Sequence, residues 1–127
     1  MPTDFNQVVI RRVTEVQMDQ RISLQLAALA NNIQSIFAER VTIILYGSYA
    51  RGENNEFSDI DLMVLTDMSD NEIVDVEDRV VDVAYDFELE KGIPVSVNVK
   101  NKAHFQYWKN ALPYYRNIAK EGIVLAG

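Results

Sequence analysis

Two aspartates separated by one residue, Asp59 and Asp61, are the side chains of this sequence best suited to bind a metal ion. They stand at the start of a short apolar run, residues 60–65, which is typical of a buried β-strand. Residues two apart on a strand point to the same face, so the two carboxylates project together. Because close carboxylates repel each other and a divalent cation relieves that repulsion, the pair predicts a site for Mg²⁺ or Mn²⁺. Such a site can stabilise the attacking and leaving oxygens of a phosphoryl transfer.

A glycine and a serine, Gly47 and Ser48, follow a second apolar run at residues 41–46. A strand that ends there and a short helix that begins after it would present backbone N–H groups to a phosphate, which glycine allows to approach closely. The Ser48 hydroxyl adds a donor. Arg51 would contact either a phosphate or, as a structural ion pair, one of the two aspartates. Taken singly, a Gly-Ser pair is usually a turn, and an Asp-x-Asp pair is usually an exposed strand end. Together, the two pairs suit the binding of a nucleoside triphosphate with Mg²⁺.

The composition predicts one globular domain over residues 1–127, with residues 1–18 as a possible N-terminal extension or helix. The formal net charge of −7 disfavours nucleic acid as a ligand and favours a cation or a basic partner surface. The absence of cysteine and the single histidine exclude a disulfide framework and a typical structural zinc site. No apolar run approaches the roughly 20 residues that cross a bilayer, and no signal peptide is evident, so a cytoplasmic location is expected.

Helix and strand patterns alternate along the chain. An amphipathic helix is predicted by apolar residues at steps of three and four, namely Ile22, Leu26, Leu29, Ile33 and Ile36. Upstream of it, β-branched residues leave 5–18 open between helix and strand, and helix is preferred. A second long helix is predicted from a capping box at Ser69 and Glu72 to a stop at Gly92.

The remainder of the chain alternates in the same way. Residues 93–99 predict a third strand, with Pro94 at its start or edge, and two short helices flank Pro113. Residues 123–125 would add an edge strand. Strands mixed with long helices predict an α/β (α+β) fold with a small mixed β-sheet.

The combined pattern of Gly47-Ser48, ten further residues and Asp59-x-Asp61 resembles the signature of the DNA-polymerase-β-like nucleotidyltransferase superfamily. The fuller stretches Gly-Ser-x-Ala-Arg-Gly and Ser-Asp-Ile-Asp-Leu are similar to its minimal nucleotidyltransferase branch, the MntA-like antitoxins that pair with HEPN toxins. The resemblance implies helices mainly on one face of the sheet. It also implies transfer of a nucleoside monophosphate, commonly AMP from ATP, to an acceptor hydroxyl. Triphosphate binding would then fall on Gly47 and Ser48, and metal binding and catalysis on Asp59 and Asp61.

The sequence departs from that superfamily at the third carboxylate expected on a later strand. The alternating positions of the candidate strand are Pro94, Ser96 and Asn98, none of which is a general base near neutral pH. Asp82 or Asp86 on the preceding helix could substitute, but their spacing favours a solvated acidic face.

Two functions therefore follow. The first is a Mg²⁺-dependent nucleotidyltransferase that adenylylates a partner protein such as a small helical HEPN toxin. The alternative is a catalytically weak or inactive nucleotide-binding module, similar to an antitoxin, that acts by contact with its partner.

Overall fold

Ten helices and strands follow one another along the residues that the computed structural model describes, 11–12 and 18–127. In chain order they are β1 (Arg11–Arg12), α1 (Gln20–Gln34), β2 (Thr42–Tyr46), α2 (Ser48–Arg51), β3 (Ile60–Thr66), α3 (Asp70–Lys91), β4 (Val95–Asn101), α4 (Lys102–Trp108), α5 (Pro113–Glu121) and β5 (Ile123–Ala126). None of the helices in these ranges is both long enough and apolar enough to cross a membrane.

The strands form one sheet in the order β1-β5-β2-β3-β4. Strand β2 is antiparallel to both of its neighbours, whereas β1 is parallel to β5 and β3 is parallel to β4. The prediction of a mixed sheet is therefore confirmed. The prediction of an edge position for the last strand is wrong, because β5 lies between β1 and β2. Its buried apolar residues Ile123 and Val124 account for this interior place.

The N-terminal region contains a short strand where a helix was preferred. Arg11 and Arg12 pair in parallel with Ile123 and Val124, so the backbone groups of β5 find partners on this side. Residue 18 also lies outside any helix. The rest of the helix predicted over residues 5–18, and of the extension predicted over 1–18, lies outside the described residues.

The predicted helix signals are confirmed at several ends. Ser69 caps α3 by accepting from the Glu72 N–H, and the Glu72 side chain accepts from the Ser69 N–H, which completes the capping box. Gly92 ends the helix in the left-handed region, at φ +76°. At the start of α1, the Asp19 carboxylate accepts from two backbone N–H groups of the first turn.

The sheet separates two apolar cores. One core joins the long helices α1 and α3 to alternate strand residues that include Ile60, Leu62 and Val64. The other joins α4 and α5 to the intervening residues, among them Met63 and Leu65. The α/β fold class with a small mixed sheet is thus confirmed, with the two longest helices on one face and two shorter ones on the other. Since side chains alternate along a strand, Asp61 faces the α4–α5 side together with Met63.

Candidate active site

The glycine of the Gly-Ser pair lies directly against the carboxylate of Asp61. The antiparallel register places Tyr46, the last residue of β2, opposite Asp61 near the start of β3, so Gly47 is the next residue along. Gly47 adopts φ +79° and ψ −157°, a conformation that L side chains rarely adopt. A Cβ placed on it would overlap the Oδ2 atom of Asp61 and lie 3.2 Å from the Asp61 Cγ. Glycine is therefore required here both by the backbone angle and by the approach of the carboxylate.

The two aspartates differ in exposure, and the charge of Asp59 acts on Asp61. Asp59 is exposed just before β3 begins, and Asp61 is partly buried within it. Burial, followed by the negative charges of Asp59 and Glu121, raises the pKa of Asp61, while the Arg51 charge opposes the rise. The repulsion expected from the Asp-x-Asp spacing is thus present in the folded protein. A divalent cation at this position would relieve it.

The short helix expected after Gly47 is α2, a single turn that begins at Ser48. Its backbone N–H groups at Ala50 and Arg51 donate to the Gly47 carbonyl, over 3.0 and 3.1 Å. The turn closes at Gly52, whose φ is +71°. This geometry sets Ser48 beside Gly47 and directs the Arg51 side chain from the last position of the turn toward α5.

Arg51 makes an ion pair, but with two glutamates rather than with the motif aspartates. Its Nε donates to Glu53 over 2.8 Å, and its Nη1 donates to both carboxylate oxygens of Glu121 over 3.1 and 3.2 Å. These bonds raise the pKa of the Arg51 guanidinium, and the bond to Glu53 has the largest effect. The predicted ion pair with one of the two aspartates is wrong, because Arg51 pairs with these two glutamates, but its positive charge still acts on Asp61.

Glu121 is a residue of this site that the sequence reasoning missed. Its Oε2 atom accepts a hydrogen bond of 2.6 Å from the Gly47 N–H, and the side chain is 23% exposed. Glu121 is the last residue of α5, immediately before the C-cap Gly122. A carboxylate at a helix C-terminus is unfavourable for the helix dipole, and this was the available signal that Glu121 is held by contacts elsewhere.

Neutral groups occupy the strand where a third acid was expected. Ser96 lies beside Asp61 in the parallel register of β3 and β4. The Asn98 amide donates to the Tyr114 hydroxyl over 3.2 Å, and that hydroxyl lies 2.7 Å from the hydroxyl of Tyr46. Burial and the bond to Tyr114 raise the pKa of the Tyr46 phenol, so it stays protonated near neutral pH. Pro94 precedes β4, and its carbonyl accepts from the Ile60 N–H over 2.9 Å.

The acidic residues of α3 do not take the place of the third acid. Asp82 and Asp86 are exposed, and α3 packs on the face of the sheet opposite to Asp61. They belong to the solvated acidic face that their spacing favoured.

Within the described part of the chain, no group of three or more His, Cys, Asp or Glu side chains is placed to hold a metal ion. Mg²⁺ commonly takes only one or two protein carboxylates and completes its shell with water and substrate phosphates. Asp59 and Asp61 fit that mode, because the charge of Asp59 raises the pKa of Asp61 and a cation between them would offset that repulsion.

Comparisons with known proteins agree with this arrangement. The family model described as "Nucleotidyltransferase domain" matches residues 26–125, a range that includes the Gly-Ser pair and both aspartates. Two Methanocaldococcus jannaschii proteins are similar in sequence. The one named "Putative protein adenylyltransferase MJ0604" is 35% identical over 96 residues, which are 75% of this chain and 88% of the relative. The one named "Putative protein adenylyltransferase MJ1305" is 32% identical over 77 residues, 54% of this chain and 52% of the relative. This chain belongs to the nucleotidyltransferase domain family.

Proposed function

We propose that this protein is a Mg²⁺-dependent adenylyltransferase that transfers AMP from ATP to a hydroxyl group of a partner protein. The observation that supports it most directly is the contact between the Asp61 carboxylate and the Gly47 backbone, because it brings a metal-binding group and a phosphate-binding group to one place. The names of the two relatives support adenylyl as the group transferred and protein as the acceptor.

The triphosphate would bind at the Gly-Ser turn. In this proposal the Gly47 N–H and the Ser48 hydroxyl donate to phosphate oxygens, and the Arg51 guanidinium, which carries its positive charge close by, neutralises part of their charge. The carboxylates of Asp59 and Asp61 hold Mg²⁺. When bound, Mg²⁺ supplies positive charge that stabilises the negative charge developing on the reacting phosphate and the leaving group.

The reaction is a displacement at the α-phosphorus of ATP. The acceptor oxygen forms a bond to that phosphorus, the bond from phosphorus to the bridging oxygen breaks, and pyrophosphate leaves with the electron pair. The acceptor loses its proton to solvent or to a base of the partner protein, because Ser96 and Asn98 do not accept protons near neutral pH and the Tyr46 phenol stays protonated. The absence of one positioned general base costs roughly 10²–10⁴ in rate, so slow turnover is expected.

The charge of the protein favours a basic acceptor surface. The formal net charge is −7, and α3 carries exposed carboxylates at Asp75, Asp78, Asp82 and Asp86. Complementary charge speeds the encounter of two proteins and helps to orient them. A small helical protein of the HEPN type, the partner class implied by the sequence resemblance, is the acceptor that we propose to test first.

Label transfer tests the function directly. The protein is incubated with Mg²⁺, ATP labelled at the α-phosphate and a small helical protein of the HEPN type, and the expected result is label on the partner. ATP labelled at the γ-phosphate should leave the partner unlabelled, since that phosphate departs with pyrophosphate. Asp59→Asn and Asp61→Asn should each reduce the label by at least about 10²-fold, because each removes a charged metal ligand. Asp75→Asn, at an exposed acid on α3, is the matched control and should transfer normally.

One outcome would favour the second candidate function. The neutral residues Ser96 and Asn98 at the expected base positions also fit a module that binds nucleotide without transferring it. A stable complex between the two proteins with no label transfer, and with ATP binding retained, would contradict the enzyme and support that module.

A further inference from the structure

The side chain of Glu121 occupies donors that a triphosphate would use. The Gly47 N–H carries a single hydrogen, and Glu121 accepts it over 2.6 Å. The same carboxylate accepts from Arg51 Nη1 through both of its oxygens. Carboxylate and phosphate oxygens are both anionic acceptors with the same preference for such donors. Because one N–H hydrogen makes one strong hydrogen bond at a time, the Glu121 carboxylate and a phosphate oxygen compete for the Gly47 N–H.

Electrostatics also oppose joint occupation of this place. The Glu121 charge already raises the pKa of Asp61, so the two carboxylates interact in the folded protein. A triphosphate would add further negative charge beside both acids, and a bound Mg²⁺ offsets only part of it. Without nucleotide, the Glu121 carboxylate is therefore the anion that accepts from the Gly47 N–H and from Arg51.

The side chain of Glu121 can leave while its backbone remains in place. Gly122 N–H donates to the Ile118 carbonyl over 2.8 Å, and Arg11 Nη2 donates to the Glu121 carbonyl over 3.2 Å. These bonds fix the end of α5, whereas the partly exposed carboxylate needs only side-chain rotation to move into solvent.

We infer that Glu121 is an internal competitor for the triphosphate, whose carboxylate holds Gly47 N–H and Arg51 until ATP displaces it. This inference rests on the proposed function. The apparent affinity for ATP is then reduced by the fraction of molecules in which the donors are free. If Glu121 holds them in about nine of ten molecules, its removal strengthens ATP binding by about tenfold.

Equilibrium binding by calorimetry tests the inference in the full-length protein, with ATP, inorganic triphosphate and adenosine as separate probes in Mg²⁺. Glu121→Gln should bind ATP and triphosphate about tenfold more tightly than the unaltered protein, and should bind adenosine no better, because adenosine carries no phosphate. Glu53→Gln is the matched control. It removes the other acid on Arg51 without touching Gly47, and should change ATP affinity less than about twofold.

A second variant keeps the charge and shortens its reach. Glu121→Asp draws the carboxylate back by one methylene, so ATP affinity should fall between those of the unaltered protein and Glu121→Gln. Circular dichroism melting of each variant confirms that it is folded. If ATP binds the unaltered protein but Glu121→Gln binds it equally or more weakly, the competitor role is wrong and the proposed function stands. If neither protein binds ATP or triphosphate, both fail.

Discussion

The two ends of the β2–β3 strand pair carry similar polar side chains but differ in how those side chains are satisfied. At the Thr66 end, the Glu39 carboxylate accepts from the Thr66 hydroxyl over 2.9 Å and from the Asp67 N–H over 3.3 Å. Gln34 completes the network by donating to the Glu39 carbonyl over 2.6 Å and accepting from the Val41 N–H over 3.0 Å. Each of these acceptors has a donor opposite it.

At the Tyr46 end, negative charge exceeds its local compensation. The negative charges of Asp59 and Glu121 both act on Asp61 there, and the positive charge of Arg51 opposes them. A network in which every acceptor receives a hydrogen bond stabilises a fold, whereas carboxylates close to one another lower its stability unless a cation binds between them. The difference supports the proposal that the Tyr46 end binds a ligand, whereas the Thr66 end stabilises the fold.

Replacement of Gly47 should have the largest effect. In Gly47→Ala the new Cβ meets the Asp61 carboxylate in a backbone conformation with positive φ, so the free energy of unfolding should fall by about 1–3 kcal/mol and ATP binding should be lost. Urea denaturation and calorimetry measure the two effects.

Gly52→Ala is its matched control. Gly52 also has positive φ, at +71°, but a Cβ there has nothing within 4 Å among the described residues. This variant should carry the backbone strain alone and keep ATP binding. Equal loss of binding in the two variants would contradict the special role of the contact between Gly47 and Asp61.

Local signals in the sequence predicted most of the fold. The apolar run at 60–65, the capping box at Ser69 and the stop at Gly92 each depend on residues close together in the chain, and the structure contains the corresponding strand and helix ends. The neighbours of β5 and the strand at Arg11–Arg12 depend on pairing between segments more than 75 residues apart. Hydrophobic periodicity does not report such pairing. The local pattern therefore predicted an edge position for β5 and a helix at residues 11 and 12, and both predictions are wrong.

The same distinction applies to the candidate site. The sequence motif predicted that Gly47 and Asp61 belong to one site, and the structure places them in contact. Glu121 is 74 residues from Gly47, and no motif connects them. Glu121 was missed as a partner of Arg51 for the same reason, because a contact from the end of α5 depends on how that helix packs on the sheet rather than on local spacing.

A change at the well-satisfied end should lower stability by an intermediate amount. Thr66 is buried, and its hydroxyl donates to Glu39 and accepts from the Met68 N–H over 3.1 Å. Thr66→Val removes both bonds at nearly constant volume and should lower the free energy of unfolding by about 1–2 kcal/mol in urea denaturation.

Thr42→Val is the control for that change. Thr42 is also buried on this strand pair, and its hydroxyl takes no part in the two bonds to the Glu39 carboxylate. Its substitution should cost less than that of Thr66. A cost for Thr66→Val no larger than this would show that the network at Glu39 is not what stabilises that end.

Replacement of Asp61 by Asn removes a charge at the Tyr46 end and should have the smallest effect on stability. Unlike the changes above, it should stabilise the folded protein. Folding raises the pKa of Asp61 above its ordinary value of 3.8, so the folded form binds its proton more tightly than the unfolded form. The protein therefore loses stability as pH rises from about 3.8 through the raised pKa. Asp61→Asn avoids this loss. Without metal at pH 7 it should melt roughly 1–3 °C above the unaltered protein, and the difference should disappear toward pH 3.8.

Mg²⁺ should reverse that order. A ligand that binds the folded form raises the melting temperature, so the unaltered protein should gain stability from Mg²⁺ with ATP and Asp61→Asn should gain less. Asp75→Asn, at an exposed acid outside the site, should melt with the unaltered protein in both conditions. An Asp61→Asn variant that is less stable than the unaltered protein at neutral pH would contradict the view that this end carries excess negative charge.

Arg11 gives the short first strand an importance beyond its two residues. Its guanidinium donates to the carbonyls of Ala50 and Glu121, over 3.3 and 3.2 Å, and so ties the turn that follows Gly47 to the end of α5. Strand β1 is thereby connected to the end of the sheet that carries Gly47 and Asp61. Affinity tags are better attached at a distance from residue 11, because a force on this strand would also act on the turn that follows Gly47.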